Sequence, residues 1–190
     1  MKLFKITQAF LFATTAFAMV ACAENEKDPK DVAEEHNEAK FDKVAEFDAQ
    51  SVVNAYSSGL KEIRMADTAM VYATTPQIKA LAQMLSETHK KLNAQLKDLA
   101  DKKQITLPAN ITQSEADDIA KTRDKKRIEF DKDYASEMVS KHRDAISMYE
   151  KCAADCTDND IKSWFASTLP ELRSHLDMAM NAEAKIKAMK

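Results

Sequence analysis

Four segments of this 190-residue chain repeat apolar side chains at steps of three and four for many turns. That spacing is the period of an α-helix, and each stripe must be buried against another. The first segment spans about residues 44–73, with Val52, Val53, Tyr56, Leu60, Ile63 and Met70 on one face. The second spans 76–102 and reads Ile78, Leu81, Leu85, His89, Leu92, Leu96, Leu99. The third spans 129–152 and reads Asp131, Tyr134, Met138, His142, Ala145, Tyr149. The fourth runs from residue 159 to near the C-terminus and reads Ile161, Phe165, Thr168, Leu172, His175, Ala179, Ala182, Ile186. A single Gly, four Pro and few β-branched or aromatic runs argue against a sheet. The expected fold is all-α, a four-helix bundle over residues 44–190.

Punctuation supports these limits. Thr75 is a natural N-cap with Pro76 at the first helical position. Pro108 breaks the pattern after the second segment, and Ser114 is the expected cap of a short helix beyond it. The connection between helices two and three is long enough to cross the bundle. Pro170 is expected to kink the fourth helix. The sequence shows no evident repeat.

Residues 1–22 stand apart. Lys2 and Lys5 precede an uncharged, largely apolar run that ends in Met19-Val20-Ala21-Cys22. This reads as a secretory signal. Its end looks like a bacterial lipobox with Met in place of the commoner Leu, which implies acylation of Cys22 as the first mature residue. The alternative is an ordinary signal peptide cleaved nearby. Acyl chains on Cys22 would tether the protein to the bacterial cell envelope, on its periplasmic or outer-membrane face. Residues 23–43, with His36 among acids, read as a charged spacer. Without the signal the chain carries 26 basic and 31 acidic residues, formally −5, and lacks the basic stripe of a nucleic-acid partner. The membrane, through the lipid, is the partner expected; protein partners are left open.

Cys152 and Cys156 lie four apart at the expected end of helix three. In an exported protein they are candidates for a local disulfide, with free thiols as the alternative.

His89, His142 and His175 each replace an apolar residue in the stripe of a different helix. Helical rise places all three near mid-helix, and Glu62 falls at a matching height on the first helix. Imidazoles packed together need shared hydrogen bonds or a cation, because none is easily charged in a core. Two readings stay open. One is a metal site of His89, His142, His175 and Glu62 for one zinc, iron or copper ion. The other is a core polar network that also uses Tyr hydroxyls and water. A dinuclear carboxylate centre is not expected, since no His has Glu three residues before it. No nucleophile constellation is present either, so enzyme activity is not expected. Met138 and Met178, near His142 and His175, fit copper chemistry but also serve as core filler.

The set Glu62, His89, Phe130-Asp131, Tyr134, His142, Leu169-Pro170 and His175 resembles the bacterial exported domain-of-unknown-function family 4142. Members of that family are classed as ferritin-like. The resemblance covers about residues 44–182 and implies that fold, but assigns no activity. The expectation is an exported lipoprotein with a transition-metal site, acting in envelope stress or metal handling. The alternative is a structural or interaction lipoprotein whose histidines only satisfy one another.

Overall fold

The computed structural model describes residues 27–189. The signal segment, Cys22 and the first part of the spacer lie outside the described residues. Among those described there are six helices and no strand: α1 (Pro29–Glu38), α2 (Lys43–Tyr72), α3 (Pro76–Lys103), α4 (Gln113–Arg123), α5 (Ile128–Asp155) and α6 (Asn159–Lys187). None is long and apolar enough to cross a membrane.

Each long helix begins where its sequence says it can. Asp42 accepts from Val44 N and Ala45 N, Thr75 from Ile78 N ahead of Pro76, and Asp158 from Asp160 N and Ile161 N. α5 is the exception, since Arg127 precedes it with φ 52° and no side-chain cap. α3 ends at Gln104 in the left-handed region, φ 58°, where Ile105 N reaches back to Ala100 O at 2.8 Å. The expected cap of α4 is corrected. Thr112, not Ser114, starts it, because Glu115 three residues on closes a capping box with Thr112. α6 runs through Pro170 unbroken. Pro170 is exposed, so the carbonyl it leaves free one turn earlier, on exposed Ala166, faces solvent.

α2 packs along α3 and α5 along α6, as two helical hairpins with three-residue turns, and α4 crosses between α2 and α5. From Pro29 onward the charged spacer is helical. α1 packs on α2 and buries Ala33 and Asn37. The Asn37 amide pairs both ways with the Thr106 backbone, at 2.9 and 2.8 Å. Packing against the long helices therefore reaches back into α1.

The core falls into two apolar clusters. One gathers Met65, Ala69, Ile78, Leu85, Phe130, Met138, Ala179 and Ile186. The other gathers Val52, Val53, Leu96, Tyr149, Cys152, Ile161, Phe165 and Leu172. On every long helix the gap between the clusters holds one buried titratable residue: Glu62, His89, His142 or His175. All four are buried.

The hairpins also hold each other's turns. Asp131 at the start of α5 accepts from Thr74 N (2.9 Å), Thr74 Oγ1 (3.0 Å) and Thr75 N (2.8 Å). Asp48 near the start of α2 accepts from Thr157 N (3.0 Å), Thr157 Oγ1 (2.9 Å) and Asp158 N (2.7 Å). One and the same sequence separation divides Phe47-Asp48 from Phe130-Asp131, Thr74 from Thr157, and Ile78 from Ile161. The two hairpins are thus internal counterparts, a repeat that side-chain patterning alone conceals. Asp131, in the first turn of α5, thus caps the opposite hairpin rather than its own helix.

Candidate metal centre

The four waist residues converge. The imidazole centroids of His89, His142 and His175 form a near-equilateral triangle with sides of 5.7, 5.4 and 5.4 Å. One nitrogen from each ring lies within 4.8 Å of the other two. Tetrahedral metal–nitrogen bonds of about 2.0–2.1 Å set ligand nitrogens roughly 3.4 Å apart, so ring rotations of order an ångström would close the set. Glu62 stands beside the triangle, with its Oε2 3.0 Å from His89 Nε2 and 3.6 Å from His142 Nε2. Three imidazoles thus meet at a common depth, with the Glu62 carboxylate against two of them.

Helix geometry fixes one ring's proton. His142 Nδ1 sits 2.9 Å from Met138 O, one turn back on α5. A carbonyl only accepts, so Nδ1 carries the hydrogen and, in the neutral ring, Nε2 turns its lone pair to the centre. Across from it Glu62 Oε2 is also an acceptor. Neither atom has a hydrogen-bond partner, and His89 Nε2 and His175 Nδ1 are likewise buried and unpartnered. The His89–Glu62 approach is in ion-pair range but off the line that a hydrogen bond needs. Such orphaned groups are costly in a core.

Charge is shared unevenly. Burial pushes the Glu62 carboxyl up, but the His89 charge and contact, then His142, outweigh it and hold the group at about 2. Burial pulls His89 down, yet the adjacent Glu62 carboxylate more than offsets this and leaves it raised, with Glu171 adding to the pull. Burial dominates at the other two. It lowers His142, and with repulsion from His89 and His142 it takes His175 down to about 3. Near neutral pH Glu62 is thus a carboxylate and His175 a neutral ring, while His142 is shifted toward its neutral form and His89 toward its charged form. Neutral rings are ready ligands, and a proton on His89 would have to leave for a competing cation.

The donor set fits one ion. The internal counterparts of Glu62 and His89 are Ala145 and Leu172, and those of His142 and His175 are Gly59 and Leu92. The symmetric positions that a second ion would need are apolar, consistent with the missing Glu-x-x-His pairs.

Other expected residues lie elsewhere. Cys22 is outside the described residues. Cys152 and Cys156 are buried thiols at the end of α5, far from the histidines along the helix axis. Burial raises both, and raises Cys156 to about 12, so neither is an activated nucleophile. Tyr134, part of the family set, has its hydroxyl fully buried without a partner on the Phe130 side of the layer. Its position in the stripe carried no sign of that missing partner, since a buried Tyr fits the helical period as well as Phe does.

No curated protein and no solved structure matches the chain. A family model described as "Domain of unknown function (DUF4142)" matches residues 33–182, most of the chain. The protein belongs to that family.

Proposed function

We propose that this protein is an exported, lipid-anchored, ferritin-like four-helix bundle that holds one transition-metal ion, in metal handling or envelope stress. Residues His89, His142 and His175 would supply three nitrogens and Glu62 an oxygen. The observation that carries this reading is the face-off of two buried acceptors, His142 Nε2 and Glu62 Oε2, 3.6 Å apart with no donor between them. A cation satisfies both, together with the unpartnered atoms of His89 and His175. Three imidazoles and a carboxylate suit zinc, iron or copper, and burial on all sides suits retention rather than turnover. Export and the lipid anchor rest on Lys2, Lys5 and the Met19–Cys22 lipobox. In an oxidising compartment Cys152 and Cys156 would join as a disulfide that closes the end of α5. Thiol titration of exported, denatured protein should then find this pair unreactive until reductant is added; two free thiols would dismiss the bridge.

A core polar network is the second reading, favoured by the His89–Glu62 pair at 3.0 Å, which is self-neutralising. Elemental analysis of the purified mature chain separates the two. The metal reading expects about one ion per chain, lost in His89→Ala with the helical spectrum kept. A metal-free wild type that also fails to take up added zinc, copper or iron leaves the network standing.

A further inference from the structure

We propose that the end of the body where α2 turns into α3 is a docking surface for an anionic membrane. That the protein sits close to a membrane rests on the lipid-anchored reading above; the chemistry of the surface does not. Met70, Val71 and Tyr72 follow one another in the last turn of α2, and all three are exposed, Val71 at 72 % and Tyr72 at 49 %. Together they rim the helix end: Val71 and Tyr72 line a groove with the start of α4, and Met70 lines another with Lys79 of α3. Met189, just past α6, is exposed at the same end, where Ile186 packs with Phe130 and Ile78. At the opposite end the exposed large apolar side chain among the described residues is Val44. A cluster of this kind marks a contact surface, whereas single exposed apolar residues are ordinary. Tyr suits a membrane interface, where its ring meets acyl chains and its hydroxyl stays wet.

Charge selects the kind of membrane. The start of α5 joins this end, since Asp131 accepts from Thr74 and the Tyr72 and Phe130 rings lie 6.4 Å apart. With it comes the link from α4, "KTRDKKR" at residues 121–127, which holds five cations and one acid. The acids nearby are already matched: Asp124 by Arg123, Asp133 by Lys125, Glu129 by Lys132 and Glu183 by Lys187. Lys126, Arg127, Lys79 near the start of α3 and Lys185 in the last turn of α6 have no ion-pair partner among the described residues. Unmatched cations around an apolar rim fit anionic lipid headgroups. The tether allows this pose. α1 runs back along α2, with Glu34 against Gln50, so its start at Pro29 points toward the Val71–Tyr72 end from near the level of Ala55. Tyr72 is ~25 Å further by helical rise, and the seven residues from Cys22 to Pro29 span up to ~24 Å.

The test uses the mature chain with Cys22→Ala, made without its signal, so that no acyl chain contributes. Vesicles of equal parts phosphatidylglycerol and phosphatidylcholine should carry the protein down in a sedimentation assay at low salt. Pure phosphatidylcholine vesicles should not, and added salt should release the bound protein. Lys126→Glu/Arg127→Glu should weaken partition by about tenfold or more. Val71→Ser/Tyr72→Ser should weaken it in part, and Val44→Ser, at the other end, should leave it unchanged. All these side chains are exposed, and an unchanged helical spectrum confirms that each variant folds. Equal partition into both kinds of vesicle, or charge reversal without effect, would overturn the surface. So would a dimer that Val71→Ser/Tyr72→Ser dissolves, which would assign this end to a second copy of the chain. The mass of the exported wild-type protein reads acylation separately. An unmodified Cys22 with vesicle binding intact removes the anchor and leaves the docking surface standing; an acylated Cys22 with no binding by the Cys22→Ala chain does the reverse.

Discussion

His175 reports most directly on the waist of the molecule, because burial, followed by the charges on His89 and His142, holds its folded value at about 3 against 6.5 in a free chain. The folded ring stays neutral while the unfolded one takes a proton below 6.5. Its contribution to stability is thus fully present above 6.5 and is lost as pH falls toward 3. Glu62, held at about 2 against 4.5, adds a further loss on the acid side. His89 has the opposite sign: raised above 6.5, it stabilises at lower pH and its contribution fades as pH rises through its folded value. Chelator-treated protein should therefore lose on the order of 2 kcal/mol between pH 6.5 and 4, read from urea midpoints. His175→Gln, which cannot titrate, should flatten much of that slope. A wild-type profile level across this range would mean that the ring is solvated rather than buried.

At the scale of the helix, the α2–α3 contact turns on the chain's single glycine. A Cβ on Gly59 would fall 2.0 Å from Asn93 Oδ1, and Asn93 is buried with its amide donated to Tyr56 O at 3.1 Å. Alanine is favoured over glycine within a helix by about 1 kcal/mol. Gly59→Ala should nonetheless destabilise by about 1 kcal/mol, because the Asn93 amide is displaced and the Tyr56 carbonyl loses its second donor. In an Asn93→Ala background the clash is gone, and the same change should stabilise. Denaturation midpoints of the four proteins test this reversal of sign. The same scale shows what sequence could reveal. The stripes of α2, α3, α5 and α6 were legible because burial on one face writes a period into the chain, and the three histidines were legible as breaks in it. Asn37 was not, because its partner is the Thr106 backbone, and a long-range bond to a main-chain group leaves no pattern at either end. Nor was the Glu62–His142 face-off, which depends on the tautomer that Met138 O imposes rather than on residue type.

Across the whole molecule, two apolar clusters separated by a polar waist need the hairpins to sit at one axial register. A slip of one turn, about 5.4 Å, would carry His142 and His175 away from Glu62 and His89. Leucine-type packing resists such a slip weakly, since a stripe repeats along its own axis. The reciprocal caps resist it specifically. Asp131 ties α5 to the α2–α3 turn and Asp48 ties α2 to the α5–α6 turn, each a buried carboxylate with three donors, one at either end of the body. Removing either side chain leaves turn amides unpartnered and should cost about 2–3 kcal/mol. The two sites share no residue and lie at opposite ends, so the Asp48→Ala and Asp131→Ala losses should add. Hydrogen exchange should locate them separately. Asp131→Ala should speed Thr74, Thr75 and the first turn of α3, whereas Asp48→Ala should speed Thr157, Asp158 and the first turn of α6. Register is the second readout: the double variant, still helical, should bind metal at the waist more weakly than either single one. If both single variants lose stability yet the double variant keeps wild-type affinity, the caps hold turns only, and packing alone aligns the histidines.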